Sequence, residues 1–588
     1  MRVWFFQLAC VRRAALSAGV TLSATFGGGC RDSGLDPTDT RPAVFGAGET
    51  GRASALPDSE SREIRTVARF IDRAHESGVR LPYQNGEESG NFAIIESLGG
   101  GVAVLDYDAD GRLDLFYPCG GSLEDNKFVR GAPSALYRQV DRWRFDNVGR
   151  LAAIDEARYF SHGAAAADYD NDGFSDVLVT GYGGLVLFHN QGDGTFDTVE
   201  KTAGLDDRLW SSSAGWGDIN GDGMLDLYVA HYVDWSFDNH PYCNAAVAGQ
   251  REVCAPKFFQ PLPHTLYLSA GDGTFIDGSR QAGLKAGKGL GVLLADVDID
   301  GDLDIYVSND TEPNFLYLND GHGVLQETGE LSGTALSDKG IPEGSMGVEL
   351  TDFNRDGLPD LWVTNFERES ISLYRNEGKS CFQHVSQVTG LTAVGGLYVG
   401  WGTVFFDFDR DGDEDVYVAN GHVERFPQNS TVRQTPLLFE CRDDRLFKNV
   451  APAAGEYLRA AWRGRGVALA DLDEDGDGDL IVAHLDEPPA LLANESATDH
   501  HWFSLRLIGT RSNRSAIGSR VMLRASGQLQ SRQVKGGSSY ASTSDLRPRF
   551  GLGAAARVDE IEVFWPSGAR QTLHDVTADQ VITLIEPD

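Results

Sequence analysis

Positive charge is what this sequence lacks: 87 acidic residues stand against 51 basic ones, a net charge of -36 over 588 residues. Such a chain repels nucleic acid and anionic membrane surfaces, and no basic stripe offsets the excess, so cations are its natural partners. Apolar periodicity of helical type over long stretches is also missing. With 69 glycines and 21 prolines, the chain favours short strands joined by tight turns, and an all-β fold is expected. Cysteine is scarce, 7 in all, and none stands as C-x-x-C, which weakens zinc and thioredoxin-type redox readings. The sequence has no H-E-x-x-H, phosphate-binding glycine loop, G-x-S-x-G elbow or dinucleotide fingerprint. What remains, 41% hydrophobic and 10% aromatic, is a folded chain long enough for several domains or one large repeat domain.

The N-terminus has the make-up of an export signal. Arg2, Arg12 and Arg13 accompany an apolar stretch from Ala14 to Phe26, followed by Gly27-Gly28-Gly29-Cys30, a positive region, a short apolar region and small residues before a cut. The apolar stretch is too short to span a bilayer. Residues 1–30 are expected to be a signal peptide. Cys30 resembles a bacterial lipoprotein site, with Gly27 where that motif carries Leu, so secretion and a lipid anchor at Cys30 both stay open. Residues 31–62, rich in Pro, Gly, Ser and Asp, read as a flexible tether. Cys243 and Cys254 flank a polar excursion within a regular repeat and are expected to form a disulfide. With Cys119, Cys381 and Cys441 they make an odd number, which leaves at least one thiol unpaired.

The decisive feature is an internal repeat. The pattern D-x-[DN]-x-D-G-x-x-D occurs seven times, as DYDADGRLD, DYDNDGFSD, DINGDGMLD, DVDIDGDLD, DFNRDGLPD, DFDRDGDED and DLDEDGDGD. Numbered loops 1 to 7 in chain order, they offer side-chain oxygens from Asp106, Asp108, Asp110 and Asp114; Asp168, Asp170, Asp172 and Asp176; Asp218, Asn220, Asp222 and Asp226; Asp296, Asp298, Asp300 and Asp304; Asp352, Asn354, Asp356 and Asp360; Asp407, Asp409, Asp411 and Asp415; and Asp471, Asp473, Asp475 and Asp479. A glycine-rich apolar segment precedes each loop and an alternating run such as LYVA or IYVS follows it, so the reading is strand, tight loop, strand. A third strand follows in each unit, at Leu136-Tyr137, Leu187-Phe188, Leu266-Tyr267, Leu316-Tyr317, Leu373-Tyr374, Leu438-Phe439 and Leu491-Leu492. A fourth begins near Phe145, Phe196, Phe275, Leu325, Phe382 and Phe447, and the seventh copy stands at the front, where Phe70-Ile71-Asp72 matches Phe275-Ile276-Asp277. A first strand that completes the last unit closes a ring and removes two free edges. Residues 63–498 are therefore expected to form a seven-bladed β-propeller.

The loop composition suits a hard cation. Oxygen side chains at positions 1, 3, 5 and 9, and Gly at position 6 for a sharp turn, select calcium over zinc or copper, with magnesium the weaker candidate because it prefers octahedral geometry with retained waters, and about seven Ca²⁺ are expected. An EF-hand needs an acid at position 12, where this chain has Tyr117, Val179, Val229, Val307, Val363, Val418 and Val482. An Asp-Gly string alone is often only a polar turn. Seven copies with the same offsets outweigh that reading, because carboxylates packed this closely repel one another unless a cation intervenes. Histidines such as His162, His189, His231 and His484 read as satisfied strand or loop residues; His422, in Asn420-Gly421-His422-Val423, departs from the repeat and is expected to brace a loop.

These units resemble the FG-GAP (VCBS-type) calcium repeats of integrin α-subunit propellers, over roughly residues 65 to 498. From Asp499 the pattern changes: His501-Trp502-Phe503-Ser504-Leu505, Asn513-Arg514-Ser515-Ala516-Ile517-Gly518, Phe550-Gly551-Leu552-Gly553 and Trp565-Pro566-Ser567-Gly568. Residues 499–588 resemble the small β-rich ASPIC/UnbV domain that follows FG-GAP repeats in the cartilage acidic protein family. Phe503-Leu505-Leu507 and Ile561-Val563 alternate as half-buried strands, and FGLG and WPSG read as turns. The expected function is an exported calcium-binding scaffold for an extracellular or cell-surface protein or glycan. The alternative is a polysaccharide-acting or biosynthesis accessory enzyme on the same frame, which would show converging histidines and carboxylates in a pocket.

Overall fold

The computed structural model describes residues 66–588 except 156, 443 and 444. The signal peptide, Cys30 and the tether lie outside the described residues. Apart from single-turn helices such as Ala74–Ser77 and a few 3-10 turns, the described chain is strand and loop, and the fold is all-β.

Each Asp-Gly loop joins the first and second strands of a four-stranded antiparallel sheet, so sheet and loop share a number. Sheet 1 takes Ala103–Leu105, Asp114–Tyr117, Ala135–Asp141 and Arg144–Asn147, and sheet 2 takes Phe160–Ala167, Asp176–Tyr182, Val186–Asn190 and Phe196–Thr198. Sheet 7 takes Gly464–Ala470, Asp479–His484 and Ala490–Asn494, and its fourth strand is Phe70–Asp72 from the other end of the chain. There Phe70 pairs with Asn494, Ile71 with Ala493 and Asp72 with Leu492. The other third and fourth strands also lie where the sequence places them. The first strands touch in succession from sheet 1 to sheet 7, and that of sheet 7 touches that of sheet 1. Most are rich in Gly and Ala and nearly all their residues are buried, as in Phe160–Ala167, because both faces of each are covered.

Residues from Asp499 onward build two further sheets. One holds His501–Ile508 between Arg549–Gly553 and a parallel partner, Gln580–Ile585; the other is ordered Gln528–Gln533, Arg520–Ala525, Arg557–Phe564, Arg570–Thr577. Phe503, Leu505, Ile561 and Val563 are fully buried, as their alternation predicts. WPSG is a turn, closed by Trp565 N–H on the Ala569 carbonyl. FGLG is not: residues 550–553 lie in a strand, with Phe550 paired to Phe503. The glycine serves close approach instead of turning, since a Cβ on Gly551 would stand 1.9 Å from Asp407 Oδ2.

The strand pattern changes at residue 499, yet residues 65–588 form one compact unit. A low-hydrophobicity loop, Gly536 to Asp545, leaves the C-terminal sheets and runs among the first strands of all seven sheets. Gly536 exchanges backbone bonds with Leu294, Ser539 with Val348 and Thr543 with Val102 and Val104. Ala541 bonds to Ala164 N–H and Ser213 Oγ, Ser539 Oγ to Thr403 N–H, and Ser544 Oγ to Leu469 N–H. Fully buried Tyr540 stands at the tip, its ring 4.8 Å from that of Trp401. Its hydroxyl accepts Gly99 N–H, 3.1 Å away, from a buried segment, Ile94 to Gly101, that enters from the other end. Cys243 and Cys254 are disulfide-bonded, with Cα atoms 5.3 Å apart. Cys381 is also disulfide-bonded, while Cys119 and Cys441 are buried free thiols.

Candidate metal centres

The seven loops share one backbone design. Position 4 has positive φ in every copy, from 55° at Ala109 to 74° at Gly221, and so does the position-6 glycine, from 83° at Gly357 to 103° at Gly301. Position 1 accepts the N–H of position 6 in all seven, as in Gly111 to Asp106 Oδ2 and Gly412 to Asp407 Oδ2. Position 5 accepts the N–H of position 7, as in Phe174 to Asp172 and Leu358 to Asp356. The chain is thereby wound around its own carboxylates.

Position 9 opens the second strand and pins the loop to the sheet. Asp176 Oδ1 accepts the third-strand Asn190 N–H at 2.8 Å and Oδ2 accepts Tyr169 N–H at 3.2 Å; the same Oδ1 bond recurs at Asp114, Asp226, Asp304, Asp360, Asp415 and Asp479. Each oxygen keeps a second lone pair for a ligand. Position 12 points into the strand core, with Val229, Val307, Val363 and Val482 fully buried, so it cannot ligate.

Burial, with the neighbouring loop acids adding to it, pushes Asp114 up to about 8, Asp226 to about 7 and Asp360 to about 9. Fully buried Asp415 and Asp479 are raised well above the ordinary carboxylate range for the same reasons. Buried oxygens of Asp106, Asp108, Asp168, Asp298, Asp360 and Asp473 have no hydrogen-bond partner. Carboxylate atoms of Asp106, Asp108 and Asp114, of Asp296, Asp298 and Asp300, and of Asp407, Asp409 and Asp415 gather within 4.8 Å. Unpartnered, mutually repelling oxygens of hard-donor type fit a bound hard cation.

Several recurring contacts carry no obvious mark in the sequence. A third-strand amide crosses from one sheet to the position-2 carbonyl of the preceding loop. Asn190 donates to Tyr107, Asn319 to Ile219, Asn376 to Val297 and Asn494 to Phe408, at 2.8 to 2.9 Å. Gln139 donates to Leu472 at 2.7 Å and so joins sheet 1 to loop 7. In sheets 3 and 6 the corresponding residues are Ser269 and Cys441, which lack the amide. A recurring Asn two residues after the third-strand pair, as in Leu187-Phe188, Leu316-Tyr317, Leu373-Tyr374 and Leu491-Leu492, was the available signal.

The C-terminal sheets rest on the loops. Gln533 bonds both the carbonyl and the N–H of Asp296, Asp168 N–H reaches Ser515 Oγ, and Gly553 N–H reaches the Arg410 carbonyl. Arg506 and Arg514 stand 3.9 and 3.7 Å from Asp106 and Asp168, and Arg532 is 3.2 Å from Glu414. Two cavities, of about 140 and 210 Å³, lie along this seam, one beside loops 5 to 7 and one beside loops 1 and 2.

At the opposite end of the sheets, His162 bonds Trp210, His231 bonds Asp207 and the Pro263 carbonyl, and His484 bonds Tyr457 and the Pro488 carbonyl. His422 braces its loop, Nδ1 accepting Glu424 N–H, with Nε2 at 3.5 Å from Glu367. His189 differs from the other strand histidines: Nδ1 lies 3.3 Å from Asp176 and 3.5 Å from Asp170, inside loop 2.

With this geometry in view, the profile of FG-GAP-like repeats matches residues 168–229, 296–363 and 352–418, and that of ASPIC and UnbV matches residues 509–588. The chain is thus a repeat protein of FG-GAP-like units followed by an ASPIC/UnbV domain. It is similar to cartilage acidic protein 1 of Mus musculus, 26% identical over 512 residues, covering 83% of this chain and 73% of that protein. Cartilage acidic protein 1 of Homo sapiens is 26% identical over 514 residues, covering 83% and 71%. Among solved structures, an Agrocybe aegerita lectin recognising non-reducing terminal N-acetylglucosamine aligns at TM-score 0.34 and 17% identity, over 61% of this chain and 82% of that one. YCF48 bound to D1 peptide aligns at TM-score 0.37 and 8% identity, over 68% and 94%. Likeness at this level carries no argument.

Proposed function

We propose that the seven sheets are the blades of a closed propeller, that the Asp-Gly loops bind calcium, and that the assembly is an exported scaffold for an extracellular protein or glycan. The observation that carries the calcium reading is the gathering of loop carboxylates within 4.8 Å of one another, together with unpartnered, buried carboxylate oxygens in loops 1, 2, 4, 5 and 7. Bound calcium would supply positive charge there, held by the oxygens at positions 1, 3, 5 and 9. Ring closure draws support from the Phe70–Asp72 strand in sheet 7 and the Gln139 amide on Leu472. A scaffold suits a centre filled by Tyr540 and its loop, because the chain's own residues occupy the space a small substrate would need. Export rests on the N-terminal pattern and on the similarity to cartilage acidic protein 1. The net charge of -36 argues against a nucleic-acid partner.

Titration calorimetry on chelator-stripped protein tests the calcium reading; no heat on calcium addition and an unchanged melting temperature would sink it. A panel of glycans and extracellular proteins, screened with and without EDTA, tests the scaffold.

One observation favours the enzyme reading. Burial, with Glu369 repelling Glu343 and Asp310 repelling Glu369, raises Glu343 and Glu369 to about 7, and burial raises Asp310 to about 6, at the end opposite the loops. Carboxylates that hold a proton near neutrality suit general acid catalysis. Glycan turnover lost in Glu369→Gln would favour that alternative.

A further inference from the structure

The seven loops are alike in backbone and unlike in what faces them. The third-strand residue just before the inter-sheet amide lies beside the loop, and it is Arg138, His189, Leu268, Leu318, Arg375, Glu440 and Ala493 in sheets 1 to 7. In sheet 1 the Arg138 guanidinium spans the two acids that would chelate a cation: Nε is 2.5 Å from Asp108 Oδ2 and Nη2 is 2.9 Å from Asp110 Oδ2. Arg112 also pairs with Asp110. A planar guanidinium bridges the two carboxylates as a cation would but brings one positive charge where a divalent ion brings two, and the Arg112 guanidinium on Asp110 supplies the second.

The same residue type in sheet 5 does otherwise. Arg375 donates to Glu377 through Nε at 2.8 Å and to Gln383 at 2.9 Å, so it is held away from loop 5. Two residues beyond Arg138 stands Val140 in place of that glutamate, and although Asp146 lies opposite Arg138 on the fourth strand, where Gln383 lies opposite Arg375, the Arg138 guanidinium pairs with the loop. Loops 3 to 6 show no arginine on their position-3 or position-5 acids among the described residues. In loop 7, Arg142 reaches Asp473 at 2.7 Å from a side chain 58% exposed, at the edge of the site.

We infer that Arg138 is the built-in counter-cation of loop 1, held on Asp108 Oδ2 and Asp110 Oδ2 even though Asp106 Oδ1 and Asp108 Oδ1 keep no hydrogen-bond partner, so that this loop is closed without calcium while loops 3, 4 and 6, with Leu268, Leu318 and Glu440 at the equivalent position, take the ion. The inference rests on the calcium reading of the other loops. Its consequence is a propeller whose metal sites are unequal, with one blade next to the ring closure held independently of calcium.

The test compares the full-length protein with Arg138→Leu, which copies sheets 3 and 4. Calcium-loaded crystals, with anomalous scattering to place the ions, and equilibrium dialysis give site and count. The wild type should hold no ion at loop 1, Arg138→Leu should gain one there, and Asp108→Asn should leave the wild-type count unchanged where Asp409→Asn lowers it by one. An ion at loop 1 of the wild type overturns the inference and leaves the calcium reading standing; absence of calcium from every loop sinks that reading instead. Should Arg138→Leu fail to fold, the wild-type site and the Asp108→Asn count still decide.

Discussion

The two ends of the sheets meet the same excess of acid in opposite ways. At the far end, where second strands lead into third strands, several acids are answered by fixed donors of the chain itself, with Glu343, Glu369 and Asp310 the exception. Glu252 accepts the backbone N–H groups of Val253, Arg425 and Phe426; Arg463 bridges Glu87 and Asp486; Arg425 pairs with Glu96. At the loop end, acids face mostly other acids: Arg138 and Arg112 pair within loop 1 and Arg142 reaches loop 7, while arginines of the C-terminal sheets approach loops 1, 2 and 6 through Asp106, Asp168 and Glu414. Under the calcium reading, one end is neutralised largely by the chain's own donors and the other largely by bound ions. Stability should therefore respond to divalent cations at the loop end, whereas substitutions at the far end should act by loss of individual donors.

The largest effect that could break this contrast is calcium removal. Extracellular calcium modules bind at ~10⁻⁴ M, so ~1 mM calcium stabilises by roughly 1.4 kcal/mol per site. Six or seven sites amount to about 8–10 kcal/mol, comparable with the whole stability of a domain. Thermal unfolding in EDTA should fall far below that in calcium and recover on readdition. Equal melting temperatures would show that the loops fold without help.

Next comes pH, and its sign depends on calcium. In chelated protein, burial holds Asp114 at about 8, Asp226 at about 7 and Asp360 at about 9, all above their unfolded values. The folded chain then binds more protons than the unfolded one, so stability is greatest in acid and falls as pH rises from about 4 toward 9, by about 1.4 kcal/mol per pH unit for each carboxylate still protonated. Calcium displaces those protons and should flatten or reverse the slope. Denaturant unfolding at pH 6 and pH 8, with and without calcium, gives the sign; a chelated protein more stable at pH 8 contradicts the loop-end account.

Much of this was legible beforehand because it was periodic. Seven strings with Asp at fixed offsets locate every loop, and Phe70-Ile71-Asp72 finds its sheet because it copies Phe275-Ile276-Asp277. Position 4 was less legible: positive φ falls on Ala109, Ile299, Arg355, Arg410 and Glu474, residues that give no local hint of it, and only Gly221 and Asn171 do. The loop from Gly536 to Asp545 was illegible, since Gly-Gly-Ser-Ser-Tyr reads as a surface loop and its partners lie hundreds of residues away. FGLG failed for a related reason, as the glycine answers to Asp407 across the seam and not to its own neighbours.

That central loop links the two ends, and Tyr540→Ala measures the link. Truncating a fully buried aromatic costs about 3–5 kcal/mol, and here Gly99 N–H also loses its acceptor. Tyr540→Phe keeps the packing against Trp401 and should cost about 1 kcal/mol. If Tyr540→Ala costs no more than Tyr540→Phe in thermal unfolding, the tip is not packed in the centre.

The smallest effect distinguishes one inter-sheet seam from another. Asn319 Nδ2 donates to Ile219 O at 2.8 Å and to Leu303 O at 3.0 Å, both buried, so Asn319→Ala leaves carbonyls unsatisfied at about 1–3 kcal/mol. Sheets 3 and 6 have Ser269 and Cys441 in that place and are bound to their predecessors without this amide. Hydrogen exchange should find the seams before sheets 3 and 6 opening first in the wild type, and Asn319→Ala should bring the seam before sheet 4 down to their level. Uniform protection at all seven seams would mean that packing of the first strands, rather than the amide bridge, sets how tightly neighbouring sheets adhere.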